Sequence, residues 1–188
     1  MAGHKTGVVE SVKQGVVDAI RGAGEVANAV VEAVSRTLVG TLKGTAQVGT
    51  SLMSVLSDVV QGAVHGAVEV GGDLGSAVHG IMLGLLRGAK EAGSVSLDTV
   101  SNLAGAVIKN TAEVTGDLGA AAKGLVEGAI AGAKEIGLDV TEAASAAVNG
   151  ALKAAGEIGA EAGDKVRKAL TRTIAGVKIV LKEPFKKT

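Results

Sequence analysis

A 22-residue repeat constrains this chain more than any other feature of its sequence. Glu113-Val114 recurs as Glu135-Ile136 and again as Glu157-Ile158, and the same step runs back towards the N-terminus. The unit is repeated about eight times, and a fixed period of this length is the signature of a repeat architecture. We therefore predict one repeat domain over residues 1–178, followed by a basic C-terminal tail over residues 179–188.

Apolar residues inside the unit follow steps of four, four and three, which together make an 11-residue period. Eleven residues over three helical turns is about 3.67 residues per turn, a spacing that favours a weakly right-handed supercoil. The stripe is broader than a two-helix seam requires, so each helix needs more than one neighbour. The stripe positions that we assign are Val70, Leu74, Val78, Ile81, Leu85, Val114, Leu118, Leu125, Ile130 and Ile136.

The sequence leaves open whether the helix is continuous. Glycines followed by a small polar residue recur once per unit, and such a pair can end one helix and cap the next. This reading gives helices of roughly 18 residues in a hairpin or solenoid, with Gly71-Gly72-Asp73 as the best place for a fold-back. However, the four-residue apolar step continues from Val70 to Leu74 and from Ile136 to Val140. We therefore favour an all-α fold in which long hendecad-repeat helices pack in a multi-helix coiled coil, tube or filament.

Glycine is abundant, with 29 residues among 188. Each glycine inside a helix costs about 0.8–1 kcal/mol relative to alanine, so an isolated helix of this sequence should not persist in water. Glycines four residues apart also let two helix backbones approach closely. The sequence therefore predicts a seam of small residues for helix association. This pattern includes Gly40 and Gly44, and the seam residues that we assign are Gly62, Gly66, Gly80, Gly84, Gly88, Gly124, Gly128 and Gly132.

Charge is balanced overall but separated along the chain. Residues 1–164 hold 11 Lys and Arg against 18 Asp and Glu, whereas residues 165–188 hold eight basic residues and Glu183. Basic and acidic residues also line opposite edges of the apolar stripe, which favours heterologous contacts between parallel copies. The basic end comprises Lys165, Arg167, Lys168, Arg172, Lys178, Lys182, Lys186 and Lys187.

Eleven-residue units rich in Val, Gly, Thr, Ala and Lys carry a resemblance to known families. They include KTGVVESVKQGVVDAI from Lys5, QGAVHGAVEV from Gln61 and TGDLGAAAKGLVEGAI from Thr115. These segments resemble the lipid-binding repeats of synucleins and perilipins, which implies amphipathic helices on lipid droplets or vesicles. The pattern is equally similar to hendecad coiled-coil proteins, which implies a structural and multimeric protein.

Catalytic and cofactor sites are not indicated. Cysteine is absent, and the three histidines, His4, His65 and His79, lack the spacing of metal ligands on one helical face. Phe185 is the single aromatic residue, so a stacking surface for nucleic acid is missing. The longest uncharged apolar stretch, residues 74–86, is shorter than a membrane-spanning helix. We expect no enzymatic activity, no cofactor and no nucleic-acid partner.

Two functions remain as predictions. The first is a structural protein that assembles with copies of itself, with an apolar lumen that could hold lipid. The alternative is an amphipathic-helix protein that coats a lipid droplet or a membrane surface. The N-terminus lacks the layout of a secretory signal, so we expect a cytoplasmic or membrane-surface location.

Overall fold

The computed structural model describes residues 2–23, 25–45, 52–93, 95–114, 117–171 and 176–177. Over these ranges the chain forms eight α-helices, one for each 22-residue step, and the predicted all-α class is confirmed. The helices are α1 (Ala2–Ala23), α2 (Val26–Thr45), α3 (Leu52–Glu69), α4 (Leu74–Glu91), α5 (Leu97–Val114), α6 (Leu118–Ile136), α7 (Val140–Ile158) and α8 (Ala160–Leu170).

The prediction of a long continuous helix is wrong, because the chain turns back after each unit. The alternative fold-back at Gly71-Gly72-Asp73 is confirmed, and it is one of a series of turns at the same repeat position. The four-residue apolar spacing suggested a continuous helix because the same spacing continues across the turns. Ile136 ends α6 and Val140 begins α7, and both side chains pack against the same core. The regular spacing of apolar residues therefore continues across a turn when the two helix ends beside it pack against one core.

Local chemistry explains several of the described turns, and the α6–α7 connection shows it most completely. Gly137 adopts a left-handed conformation at φ 80°, which costs a residue without Cβ little. The backbone N–H groups of Gly137 and Leu138 both donate to the Ala133 carbonyl at 3.0 Å. The Asp139 carboxylate then accepts from the Glu142 backbone N–H at 2.8 Å and caps α7. Glycine and aspartate thus end one helix and begin the next.

The same device recurs along the chain. Gly71 and Gly93 also have positive φ, at 68° and 71°. The side chains of Asp73, Ser96 and Asp117 accept hydrogen bonds from backbone N–H groups three residues later, at 2.7, 3.1 and 3.2 Å. Turns therefore repeat because their capping residues repeat.

The helices stack in two layers. Odd-numbered helices α1, α3, α5 and α7 form one layer, and even-numbered helices α2, α4, α6 and α8 form the other. Within a layer, neighbouring helices run parallel, since Gly80 and Gly84 of α4 face Ala27 and Val31 of α2 in the same order. One apolar core extends between the layers from Val12 in α1 to Leu170 in α8.

The predicted apolar stripe lies against this core. Val78, Ile81, Leu85, Leu118, Leu125 and Ile130 are buried, and Val70, Leu74, Val114 and Ile136 are half-buried at or beside helix ends. Other helices of the same chain cover the stripe. Burial of this surface therefore does not require a second molecule.

Candidate functional site

The predicted seam glycines all lie where two parallel helices of one layer meet. Gly62 and Gly66 of α3 face α1, while the seam glycines of α4 face α2 and those of α6 face α4. A Cβ placed on Gly84 would lie 2.7 Å from the Val31 carbonyl oxygen, and one on Gly128 would lie 2.5 Å from that of His79. Backbone carbonyls occupy the space that a side chain would need. The glycines therefore set the distance between neighbouring helices within a layer.

This seam is interrupted at one helix. Equivalent positions in a layer are 44 residues apart, and the even layer keeps glycine at Gly40, Gly84 and Gly128. In the odd layer, α3 has Gly62 and Gly66, but α5 has Ala106 and Asn110 at the corresponding positions. The contact between α3 and α5 is correspondingly smaller than the other contacts along the odd layer, α1 with α3 and α5 with α7. α5 therefore packs less extensively against α3 than against α7.

A groove opens along α5 where the seam is interrupted. Its volume is about 560 Å³, within the range of ligand pockets. We call it the α5 groove. It is lined by Ser57, Gln61, Ser101, Asn102, Gly105, Ala106, Lys109, Asn110, Glu113, Gly150, Lys153, Ala154 and Glu157.

Ion pairs join parallel neighbours at the repeat-start glutamates. The Glu69 carboxylate accepts a hydrogen bond from Lys13 at 2.7 Å, and that of Glu157 accepts one from Lys109 at 2.5 Å. The two carboxylate oxygens of Glu135 accept from Nε and Nη2 of Arg87. Basic and acidic side chains of neighbouring helices thus meet within one chain, across α1–α3, α4–α6 and α5–α7.

These pairs shift the acid–base equilibria of the carboxylates. The hydrogen bond from Arg87 holds the pKa of Glu135 below its ordinary value of 4.5, and those from Lys13 and Lys109 lower the pKa of Glu69 and Glu157 in the same way. Hydrogen bonds from Ser76 lower the pKa of the capping Asp73. Each folded carboxylate therefore favours its charged form.

The array ends differently at its two sides. At the N-terminal side, the seam positions Gly22 of α1 and Gly40 of α2 face outward, and a Cβ on either of them or on Gly15 would meet no atom of the described residues within 4 Å. A second groove of about 540 Å³ lies between these helices, and its lining combines small residues with charged ones: Gly15, Asp18, Ala19, Gly22, Ala29, Glu32, Ala33, Arg36 and Thr37. We call this surface the α1–α2 end face.

The C-terminal side carries the described part of the predicted basic end. Lys165, Arg167 and Lys168 are exposed on α8, and Lys165 pairs with Glu161 at 2.9 Å. Arg172, Lys178, Lys182, Lys186 and Lys187, like the whole predicted tail 179–188, lie outside the described residues.

The described residues offer neither a cluster of metal ligands nor a membrane-spanning helix. Those residues contain no group of three His, Cys, Asp or Glu side chains that could hold a metal ion. His65 and His79 are half-buried on α3 and α4, and the side chain of His4 lies outside the described residues. Among the same residues, no helix combines the length and the apolar character needed to cross a bilayer.

The two-layer array of helices defines the class of the protein: it is an α-helical repeat protein. No protein-family model and no curated protein sequence matches the chain. Among solved structures, the chain is similar to a de novo designed helical repeat protein, DHR7, with a TM-score of 0.56 and 20% identity. The match covers 88% of this chain and 91% of the designed one. At this identity the similarity shows a shared fold.

The α5 groove is the feature that the sequence analysis missed. Its polar residues Gln61, Asn102 and Asn110 belong to no motif and come from two helices, α3 and α5. A signal was present nonetheless, since the glycine seam of the odd layer stops at Ala106 and resumes at Gly150. Comparing positions 44 residues apart would have found it.

Proposed function

We propose that this chain is a structural, non-catalytic helical-repeat protein that associates with a copy of itself through the α1–α2 end face. One observation supports this most directly. Gly22 and Gly40 on the end face are the equivalents, 44 residues earlier, of the seam glycines Gly66 and Gly84, and no described residue covers them. A helix of a second copy is the occupant whose shape matches such a surface, because small residues permit close backbone approach.

The opposite end favours a closed pair over a filament. α8 exposes Lys165, Arg167 and Lys168, and a polar outer helix is how repeat arrays terminate and remain soluble. Two end faces related by a two-fold axis form an isologous contact that uses the same surface twice. Tubes and filaments receive less support, because they require the charged α8 to pack on the next molecule.

The lipid functions rest on weaker support. A lipid coat or an apolar lumen needs free apolar surface, yet the stripe is covered by helices of the same chain. Ile158 is the one large hydrophobic side chain that the described residues expose, at 44%. Coating a droplet would therefore require the two layers to separate.

The self-association proposal predicts that a long side chain added at an end-face glycine will give monomers, because it would occupy the space of the second copy. In Gly15→Glu, the new side chain enters open space on α1 and should not disturb the fold. Sedimentation equilibrium across a dilution series should show a dimer for the wild type and a monomer for this variant.

Gly156→Glu is the matched control, because Gly156 also has open space but lies on α7. It should associate as the wild type does. A wild type that stays monomeric at high concentration would contradict the proposal, and so would a Gly15→Glu variant that associates normally.

A further inference from the structure

The α5 groove carries a binding function that does not depend on self-association. We propose that it binds a segment of extended peptide through the peptide main chain. The groove lies where α5 has Ala106 and Asn110 at the positions of Gly62 and Gly66 in α3. It therefore coincides with a departure from the repeat.

The chemistry of the lining points to a neutral, polar ligand. Amide side chains from two of the three lining helices face the groove, Gln61 from α3 and Asn102 and Asn110 from α5, while α7 contributes no amide. Each amide can donate and accept, as a peptide unit also does. Asn110 donates to the Ala106 carbonyl at 2.9 Å, which fixes its side chain.

The charges of the lining cancel. Lys109 is paired with Glu157, and Lys153 faces the same groove as Glu113. A strongly anionic or cationic ligand would therefore gain little. Aromatic side chains are absent from the lining, so nucleobases would lack the stacking partners on which their recognition depends.

The spacing of the amides fits an extended chain. Asn102 and Asn110 lie on one helix eight residues apart, which is about 12 Å along the helix axis. Four residues of extended peptide advance about 13 Å, and residues an even number apart point to the same side. Two main-chain units of one peptide can therefore meet the two asparagines together.

The test uses a displayed library of random 12-residue peptides, selected on the Gly15→Glu protein so that self-association does not interfere. Selected peptides are counter-screened against Gly15→Glu/Ala106→Arg, in which a long side chain enters the groove. Binding of each peptide is then measured by calorimetry.

We expect Gln61→Ala/Asn102→Ala to weaken peptide binding about tenfold, since each lost hydrogen bond lowers the affinity a few-fold.

Asn28→Ala is the matched control, because Asn28 is an exposed amide on α2 that bonds Glu25 instead of lining the groove. It should leave affinity unchanged. N-methylation of alternate peptide amides should abolish binding, whereas alanine replacement of single peptide side chains should change it less than threefold.

Three results would overturn the proposal: no peptide that prefers the open groove to the Ala106→Arg variant, wild-type affinity in Gln61→Ala/Asn102→Ala, or tolerance of N-methylation. Thermal unfolding checks that each variant is folded. If Ala106→Arg does not fold, the Gln61→Ala/Asn102→Ala truncation decides alone. None of these results depends on the oligomeric state, so the two proposals fail separately.

Discussion

At the residue scale, the same repeat position must be glycine in some helices and can hold a side chain in another. Gly40, Gly84 and Gly128 are equivalent, yet a Cβ would meet a backbone carbonyl at the second and third and open space at the first. Gly128→Ala should lower the free energy of unfolding by about 1–3 kcal/mol through overpacking. Gly40→Ala should raise it by about 0.5–1 kcal/mol, because alanine favours the helix.

Urea unfolding followed by circular dichroism measures both changes in the Gly15→Glu protein, in which no second copy covers Gly40. Because the two substitutions are chemically identical, intrinsic helix propensity cancels between them. If Gly128→Ala were as stable as Gly40→Ala, helices α4 and α6 would not approach as closely as the structure shows.

At the element scale, ion pairs between parallel helices make stability depend on pH. The pKa of Glu135 is lowered in the folded state by the Arg87 hydrogen bond, so its contribution is present above the ordinary value of 4.5 and is lost as pH falls through the lowered value. Both side chains are about two-fifths exposed, and pairs of this kind contribute up to about 1 kcal/mol. Glu135→Gln should therefore destabilise the protein at pH 7 and have no effect near pH 2.

Glu113 provides the control, since it stands one repeat earlier at the same position and has no ion pair among the described residues. Thermal unfolding from pH 7 to pH 2 should show a smaller pH dependence for Glu135→Gln than for Glu113→Gln. Equal curves would mean that the Arg87 contact has no energetic weight.

Local sequence signals predicted some elements and missed others for identifiable reasons. The all-α class, the apolar stripe and the fold-back at Gly71-Gly72-Asp73 could be inferred from spacing and capping chemistry. Whether the helix is continuous could not be inferred from the sequence. The four-residue step from Ile136 to Val140 crosses a turn, yet it equals the step between core residues within one helix, because both helix ends pack against the same core. The α5 groove depends on which helices are neighbours, information that a period alone does not contain.

At the scale of the whole molecule, the chain supplies the neighbours that its helices need. A glycine-rich helix is unstable alone, and the two layers place every described helix against at least two others. Close approach at the seam and burial of the stripe therefore arise within one molecule. Self-association through the α1–α2 end face would add to a fold that is already complete.

Small-angle X-ray scattering, extrapolated to zero concentration, tests this central claim most directly. A compact chain of 188 residues has a radius of gyration of about 16 Å, and the stacked layers should give a value near or slightly above it. A continuous helix of the same chain would be about 280 Å long and have a radius of gyration of about 80 Å. The first value, with strongly helical circular dichroism, is the predicted result. The second value, or a chain that is unfolded when dilute, would contradict the account.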